Sequence, residues 1–421
     1  MTRRKISVFE YDDILVGENG LRISDLAAIA HYEDSTRRGV FRVGWNRIRT
    51  QGQVGVFVSG DLVIEILPKV ERRTTGNGPQ VRDKWSAALK QMVATVFDIP
   101  VIDAGWVHRD TREDTILDVI AHHFVVDCEQ LFHRGLAKGY RRSRETFNGV
   151  RGKCLTAKMT PRSVVHPELV TCEYDAYDNS ILHNRLLALG LKSVASLPIS
   201  LVTAERARKL SEVFPAPHAS EVTEETFRKL VYDRRTEHYR RALSVCELVI
   251  LGRGPTSTAG RVETLAVLFD MPILFEKYVS ALVRRAGRLS EWTVELQQRR
   301  AFWKQRQIRP DIVATKHGQT VVIDTKWKVL ESPTPSDDDL KQMYVYSRFF
   351  DATVSLLIYP DVYAFDDSTF PYQYPDTDVT CGLVFVRLFD GQHLSVNIGS
   401  AILQKVDRIL ERLAVPTAGV N

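Results

Sequence analysis

The stretch IRPDIVATKHGQTVVIDTKWKVL, residues 308–330, sets Asp311 behind Pro310 and, after a turn, Asp324 two residues ahead of Lys326. Two carboxylates and an ammonium in one cleft suit metal-assisted phosphodiester hydrolysis. Carboxylates hold Mg²⁺ through hard oxygen ligands. The bound ion polarises a phosphoryl group and lowers the pKa of a water. A lysine orients that water or offsets the negative charge that develops. A different reading of the same residues is an exposed hairpin with an ordinary salt bridge.

Whether these groups meet depends on the elements that carry them. His317–Gly318 marks a turn between two apolar runs. Asp311 falls near the start of the first strand and Asp324 late in the second, so antiparallel pairing brings them together. Side chains two apart on a strand share a face, which joins Asp324 to Lys326. The residues before Asp324 are almost wholly apolar, as in a buried central strand. A carboxylate there is costly unless it is paired or metal-bound. Lys328 could replace Lys326 only across a bulge, because it lies about 7 Å further along the same face.

Around this stretch the chain alternates. Residues 1–75 read as β-rich, with a hairpin at Val54–Val58 and Leu62–Leu67 around Ser59–Gly60–Asp61. Helices are expected from residue 81 and from about Thr111, whose first turn is acidic. Residues 141–175 are basic and less regular, ending in a strand at ELVTCEYDAY. Apolar residues then recur at helical spacing from Asn179 to about Leu251. GRGPTSTAG, residues 252–260, has linker composition. After it come a helix following Pro272, strands at about Asp311–Thr315, Thr320–Lys328, Val354–Tyr359 and Leu383–Leu388, a helix at about Asp338–Phe350, and a closing helix from Ala401. The fold class is therefore α+β: a β-rich N-terminal region over 1–110, a helical central adaptor over 111–251, and a mixed α/β domain over 261–421.

The chain has 421 residues, 44% hydrophobic and 26% charged, with a net charge of +5. These values allow real cores and permit, without requiring, a polyanionic partner. The five cysteines, Cys128, Cys154, Cys172, Cys246 and Cys381, are scattered and form no C-x-x-C pair. That pattern argues against a disulfide framework or a zinc knuckle and points to small buried thiols in a reducing compartment. No run of apolar residues is long enough to span a membrane, and MTRRKISVFEYDDILV lacks the apolar core of a signal peptide. A soluble cytoplasmic protein without a membrane partner is expected. His122, His123 and His133 lack metal-site spacing and read as helix residues. The acidic run Ser336–Asp339 reads as a helix cap with Ser336 or Asp337 at the N-cap.

The spacing P-D-x(12)-D-x-K resembles the signature of the PD-(D/E)xK nuclease superfamily, with Asp where Glu is commoner. Two further elements fit that likeness. FEKYVSALVRRAG places Glu276 on a helix before the strands, where many members carry an extra acidic metal ligand. QMYVY places Gln342 and Tyr346 on one face of the following helix, similar to the accessory Q-x-x-x-Y motif of the RecB-like branch. A wider resemblance covers most of the chain. VIEILPKV, the R-G pair Arg151–Gly152, C-E-Y-D at Cys172–Asp175, Asn184–Arg185, MPILFEKYV, RPDI, IDTKWK and DLKQMYVY occur in the order found in the McrC family, the nuclease subunits of McrBC-type modification-dependent restriction systems.

This resemblance implies an endonuclease whose C-terminal PD-(D/E)xK domain uses Mg²⁺. Asp311 and Asp324, with Glu276, would be metal ligands, Lys326 the catalytic lysine, and Gln342 and Tyr346 supporting residues. It also implies an McrB-like AAA+ GTPase partner, a hexameric ring contacted by the N-terminal and central regions. That partner recognises double-stranded DNA modified at cytosine and translocates it. The sequence carries no G-x-x-x-x-G-K-[ST] loop, so nucleotide hydrolysis would belong to the partner. The basic segment RRAFWKQRQIR offers Arg299, Arg300, Lys304, Arg306 and Arg309 to DNA phosphates, with Phe302 and Trp303 interleaved; otherwise it is a solvated helix face. Arg141–Arg144 reads as a partner contact or a solvated loop. The alternatives are a non-cutting activator of a partner GTPase that keeps a nuclease-like scaffold, and a stand-alone RecB-like repair nuclease.

Overall fold

In the computed structural model, described for all residues except 1–3, 19, 70–77, 99–114, 156–168, 217–220, 253–263, 362, 364–371, 376 and 415–421, the chain is mixed α/β. Packing divides it into two compact units: residues 117–267, and residues 2–116 together with 268–421. The N-terminal and C-terminal regions, expected as separate domains, thus fall in one unit.

The larger unit opens with β1 (Arg4–Phe9), β2 (Asp13–Leu15), α1 (Ile23–Thr36), β3 (Phe41–Val43), β4 (Arg47–Thr50), β5 (Gln53–Ser59), β6 (Leu62–Leu67) and α2 (Pro79–Val96). The β5–β6 hairpin forms as its sequence indicates, turning at Gly60 with φ of 58°. Every residue of β6 is buried, and β1 pairs with it in parallel. A second, smaller sheet has the order β2-β4-β3.

The central unit contains most of α3 (Ile116–Arg134), then β7 (Gly139–Asn148), β8 (Lys153–Cys154), β9 (Leu169–Asp178), α4 (Leu182–Ala195), α5 (Leu201–Val213), α6 (Glu224–Arg228) and α7 (Arg240–Leu251). The helical reading holds here. Gly190 lets α4 pack closely, since a Cβ there would lie 2.6 Å from Cys246 Sγ and 2.8 Å from Phe124. The basic segment after Lys138, read as irregular, is instead a long antiparallel ribbon, β7 on β9. Its residues are almost all partly or fully exposed, so the apolar alternation that flags a half-buried strand is missing. The register sets Arg144 opposite Glu173 with 2.6 Å between their charged groups. His122, His123 and His133 lie on α3. The linker at residues 253–260 and the helix start near Thr111 lie outside the described residues.

β10 (Thr264–Asp270) leads into α8 (Met271–Gly287), which begins one residue before Pro272; proline is tolerated in a first helical turn because no intrahelical bond is lost there. The rest comprises β11 (Thr293–Leu296), β12 (Arg300–Trp303), β13 (Arg306–Ile308), β14 (Ile312–Lys316), β15 (Gln319–Thr325), α9 (Asp337–Phe350), β16 (Val354–Pro360), β17 (Tyr372–Gln373), β18 (Thr380–Val386), β19 (Phe389–Asp390), β20 (His393–Leu394) and α10 (Ile398–Ala414). Six strands form one sheet in the order β11-β14-β15-β16-β18-β17, in which β15, β16 and β18 are parallel. Helix α9 is the crossover between β15 and β16 and packs its Met343, Tyr346 and Phe350 on Val313, Val322, Leu357 and Tyr359 of the sheet. The segment Arg299–Arg309, weighed above as a helix face, is the β12–β13 hairpin. All five cysteines are free thiols, and all but Cys154 are buried. Among the described residues no helix is long and apolar enough to cross a membrane.

Candidate active site

The β14–β15 hairpin turns on His317 and Gly318, both at positive φ of 50° and 80°, the backbone a tight two-residue turn requires. Its register pairs Lys316 with Gln319 and ends with Ile312 opposite Ile323. The next position on each strand sets Asp311 across from Asp324. There the ladder gives way to side chains: Asp311 Oδ2 accepts the Thr325 N–H at 2.7 Å and the Thr325 hydroxyl at 2.8 Å. Lys326 N–H still donates to Ile358 O at 2.8 Å, and the chain then leaves the sheet.

Asp324 is only 3% exposed. Its Oδ2 lies 2.7 Å from Lys326 Nζ, as expected for residues two apart. Lys326 Nζ also donates to Gln342 Oε1 at 2.8 Å and lies 3.6 Å from Asp339 Oδ1. Gln342 Nε2 donates to the Tyr346 hydroxyl at 2.8 Å, which donates in turn to Arg309 O at 3.2 Å. Tyr346 therefore packs its ring in the core while its oxygen belongs to the site. Glu276, on α8, accepts a short hydrogen bond from Gln297 Nε2. Gln297 adopts a left-handed φ of 51°, and its N–H donates to Asp311 O at 2.9 Å.

These carboxylates sense one another. Burial, then repulsion from Glu276, pushes Asp311 up to about 6. Burial, then repulsion from Asp311, pushes Asp324 up to about 6. Burial also raises Glu276, to which the charge of Asp324 adds. Lys326 is raised although burial opposes it, because Asp324, Asp339 and Asp311 all favour its charged form. Three acidic groups thus press on one ammonium.

The expected residues Glu276, Asp311, Asp324, Lys326, Gln342 and Tyr346 are brought together. The basic residues behave differently. Arg299, Lys304, Arg306 and Arg309 are exposed and make no salt bridge among the described residues. Arg300 donates to Phe349 O and lies over the Phe350 ring at 4.6 Å. Phe302 meets Phe349 edge-on, and Trp303 is 63% exposed.

Three residues escaped sequence reasoning. Ser336 is the N-cap of α9 and accepts the Asp339 N–H at 3.3 Å. Asp339 nevertheless does more than begin a helix: its buried carboxylate binds Lys328 and accepts the Tyr359 hydroxyl at 3.3 Å. Burial works against its charge, but Lys328, Ser336 and Lys326 hold it below the usual range. The available signal was that Asp339 precedes Gln342 by nearly one helical turn. Thr325 lies between the two residues that were read. Gln297 enters through a backbone turn that no spacing marks.

For Mg²⁺ the donor set fits. Among the described residues no group of three or more His, Cys, Asp or Glu is placed to hold a metal ion together. Mg²⁺, however, typically takes one or two carboxylates and completes its shell with waters and substrate phosphate. Asp311 and Asp324 supply such a pair, and the charge of Glu276 acts on Asp311.

A family profile described as "McrBC 5-methylcytosine restriction system component" matches residues 48–360, most of the chain. No curated protein matches it. A chain of the refined half-complex from a tetradecameric assembly of Thermococcus gammatolerans McrB AAA+ hexamers with bound McrC is similar over 96% of this chain and 100% of its own, at 18% identity and a TM-score of 0.62. A chain of the cryo-EM structure of the Thermococcus gammatolerans McrBC complex aligns over 67% of this chain and 88% of its own, at 17% identity and a TM-score of 0.46. The first likeness establishes a shared fold.

Proposed function

This chain belongs to the McrBC 5-methylcytosine restriction system component family, and we propose that it is the Mg²⁺-dependent DNA endonuclease subunit of such a system, with a PD-(D/E)xK-type cutting domain. The observation that carries the reading is the surplus of buried carboxylate around Lys326. Burial, with repulsion from Glu276 on Asp311 and from Asp311 on Asp324, pushes both up to about 6, which a divalent cation relieves. Asp311 and Asp324 would hold the ion, with the Glu276 carboxylate adding negative charge nearby. Bound there, Mg²⁺ supplies Lewis-acid activation of the scissile phosphate and a more acidic water.

The protein's own residues do the rest. Gln342 Oε1 and Asp339 hold the Lys326 ammonium beside Asp324, where it would face the reacting phosphate or its water. Tyr346 and the Arg309 carbonyl fix which end of the Gln342 amide faces the lysine. The exposed β12–β13 hairpin, with Arg299, Arg300, Lys304 and Arg306, leads through Arg309 into Asp311 and would hold the flanking DNA backbone. A partner ring of AAA+ GTPase subunits would supply nucleotide hydrolysis, modification recognition and translocation. The missing phosphate loop supports that division, as does the shared fold with a chain from an assembly of McrB hexamers and McrC.

The test is Mg²⁺-dependent cleavage of modified duplex DNA, with and without the GTPase partner, by the wild type, Asp324→Ala and Lys326→Ala. Both variants should lose at least about 10³-fold in cleavage, equivalent to about 4 kcal/mol, while still stimulating the partner. Normal cutting by Asp324→Ala would remove this site from the reaction.

A further inference from the structure

The small β2-β4-β3 sheet has one face that folding does not explain. Its register pairs Phe41 with Thr50, Arg42 with Arg49 and Val43 with Ile48. Phe41, Ile48 and Thr50 are buried, whereas Arg42, Arg47 and Arg49 are exposed. Because Arg47 and Arg49 are two apart and Arg42 faces Arg49, all three share one side. None makes a salt bridge among the described residues. The turn between β3 and β4, closed by the Gly44 N–H to Arg47 O at 2.8 Å, carries Trp45, which is 95% exposed. Three unpaired arginines beside a fully presented tryptophan contribute little to stability, but the arginines match what the phosphate backbone of a nucleic acid recognises.

This face continues into a cavity of about 740 Å³ whose walls include Tyr11, Arg49, Lys69, Trp327, Lys328 and Tyr363. Trp327 and Lys328 directly follow the candidate catalytic Lys326. Two acidic neighbours are already engaged: Glu10 accepts the Lys69 N–H at 2.9 Å, and Asp12 lies 3.2 Å from Lys69 Nζ. Glu331 also lines the cavity. Tyr11 sits at a left-handed φ of 63° over Gly52, where a Cβ would lie 2.3 Å from its hydroxyl. The glycine therefore makes room for an aromatic ring in the cavity wall.

Helix α9 gives the scale. Lys328 binds Asp339 near its start, and the β12–β13 hairpin rests on Phe349 at its end. The intervening helix is about 15 Å long at about 1.5 Å per residue. That is roughly the axial rise of four or five base pairs at about 3.4 Å each. The candidate active site lies between the two ends.

We propose that the Arg42–Arg47–Arg49 face, Trp45 and the adjoining cavity form a second duplex-DNA-binding surface, holding the backbone on the side of the cut opposite the β12–β13 hairpin. The proposal rests on the nuclease reading only for what lies between the two surfaces. It assigns to substrate a region that the family resemblance assigned to the partner ring.

The test measures binding of fluorescently labelled duplex DNA by the full chain at several salt concentrations. The variants are the triple Arg→Glu change at positions 42, 47 and 49, the triple Arg→Lys change, and Trp45→Ala. The Arg→Glu variant should bind at least about tenfold more weakly and lose roughly two to three units of salt dependence. Its thermal melting should be unchanged, and the Arg→Lys variant should keep the wild-type slope. Trp45→Ala should lower affinity without altering that slope. Unchanged DNA affinity in the Arg→Glu variant overturns the proposal, as does wild-type protein that does not bind duplex even at low salt. Loss of assembly with the GTPase partner at unchanged DNA affinity also overturns it and makes the face a protein interface. Asp324→Asn keeps the readings apart: if it still cuts, the nuclease site fails while the binding result stands.

Discussion

Two places in the larger unit set two aspartates around one cation, and they are built for opposite ends. Around Arg4, the guanidinium donates Nε and Nη2 to Asp61 at 2.7 Å each, Nη1 and Nη2 to Asp25 at 2.8 and 3.1 Å, and Nη1 to Gly20 O at 2.7 Å. Every N–H of that fork is used, and bidentate pairing of this kind is the strong form of an ion pair. Its hydrogen bond to Arg4 holds Asp61 below the usual carboxylate range. Around Lys326 an ammonium faces Asp324, Asp339 and Asp311, and burial with carboxylate repulsion pushes Asp324 and Asp311 up. Composition alone does not separate the two clusters. Burial and the ratio of acids to cations do: the first cluster is satisfied, and the second still lacks positive charge.

The sharpest way to break that contrast is to offer the missing charge. At a concentration about 100 times its dissociation constant, Mg²⁺ should stabilise the wild type by about 2.7 kcal/mol, read as a rise in melting temperature. Asp311→Asn should abolish the rise. Arg4→Ala should lower the starting stability by about 2 kcal/mol yet keep the full Mg²⁺ increment. If Mg²⁺ stabilises Asp311→Asn as much as the wild type, the two clusters do not differ in the way their charges indicate.

Acidity separates them next. Asp311 and Asp324 have folded-state values of about 6, above the ordinary value of 3.8. Raised carboxylates bind more protons in the folded than in the unfolded chain. Their contribution to stability is therefore complete below about 3.8 and is lost as pH rises through about 6. Metal-free wild type should lose on the order of 2 kcal/mol from these groups across that window. Asp61, held low, contributes in the reverse sense: its stabilisation is present above its unfolded value and is lost as pH falls. Denaturant melts of wild type and Asp324→Asn at pH 4 and pH 7 check the first sign. The variant should lose less stability between the two pH values, and an equal loss would mean that Asp324 does not carry the effect.

How much of this could be read beforehand follows local periodicity. The Asp311–Asp324 juxtaposition was legible because a two-residue turn and strand alternation settle it. Gln342 and Tyr346 were legible because a four-residue step on a helix shares a face. The β5–β6 hairpin was legible for the same kind of reason. The β7–β9 ribbon was not, because an exposed two-stranded ribbon has no buried side to impose alternation. The hairpin at Arg300–Ile308 was hidden similarly, its strands being basic and exposed. Asp339 reads only as part of a cap, since its partners Lys326 and Lys328 follow β15 and Tyr359 lies on β16, none at a helical step from it. The joining of residues 2–116 with 268–421 has no local signature: it depends on which surfaces meet after the central unit has been passed.

The smallest expected effect concerns the relay that the Arg4 cluster lacks. Each N–H of Arg4 ends directly on an acid or a carbonyl, so changing a neighbour alters stability alone. Lys326 instead has a neutral acceptor, Gln342 Oε1, whose orientation is set by Tyr346 and through it by Arg309 O. Removing that acceptor leaves the ammonium to Asp324 and Asp339, so it competes more strongly with a metal for the Asp324 oxygen. Gln342→Ala should therefore raise the Mg²⁺ concentration needed for half-maximal cleavage and lower the rate about tenfold, within the range found when groups that orient a metal's ligands are removed. Tyr346→Phe, which keeps the ring but frees the amide to flip, should show the same pattern more weakly. Steady-state cleavage over a Mg²⁺ titration checks both. A lower rate at an unchanged Mg²⁺ requirement would place Gln342 outside the competition between lysine and metal.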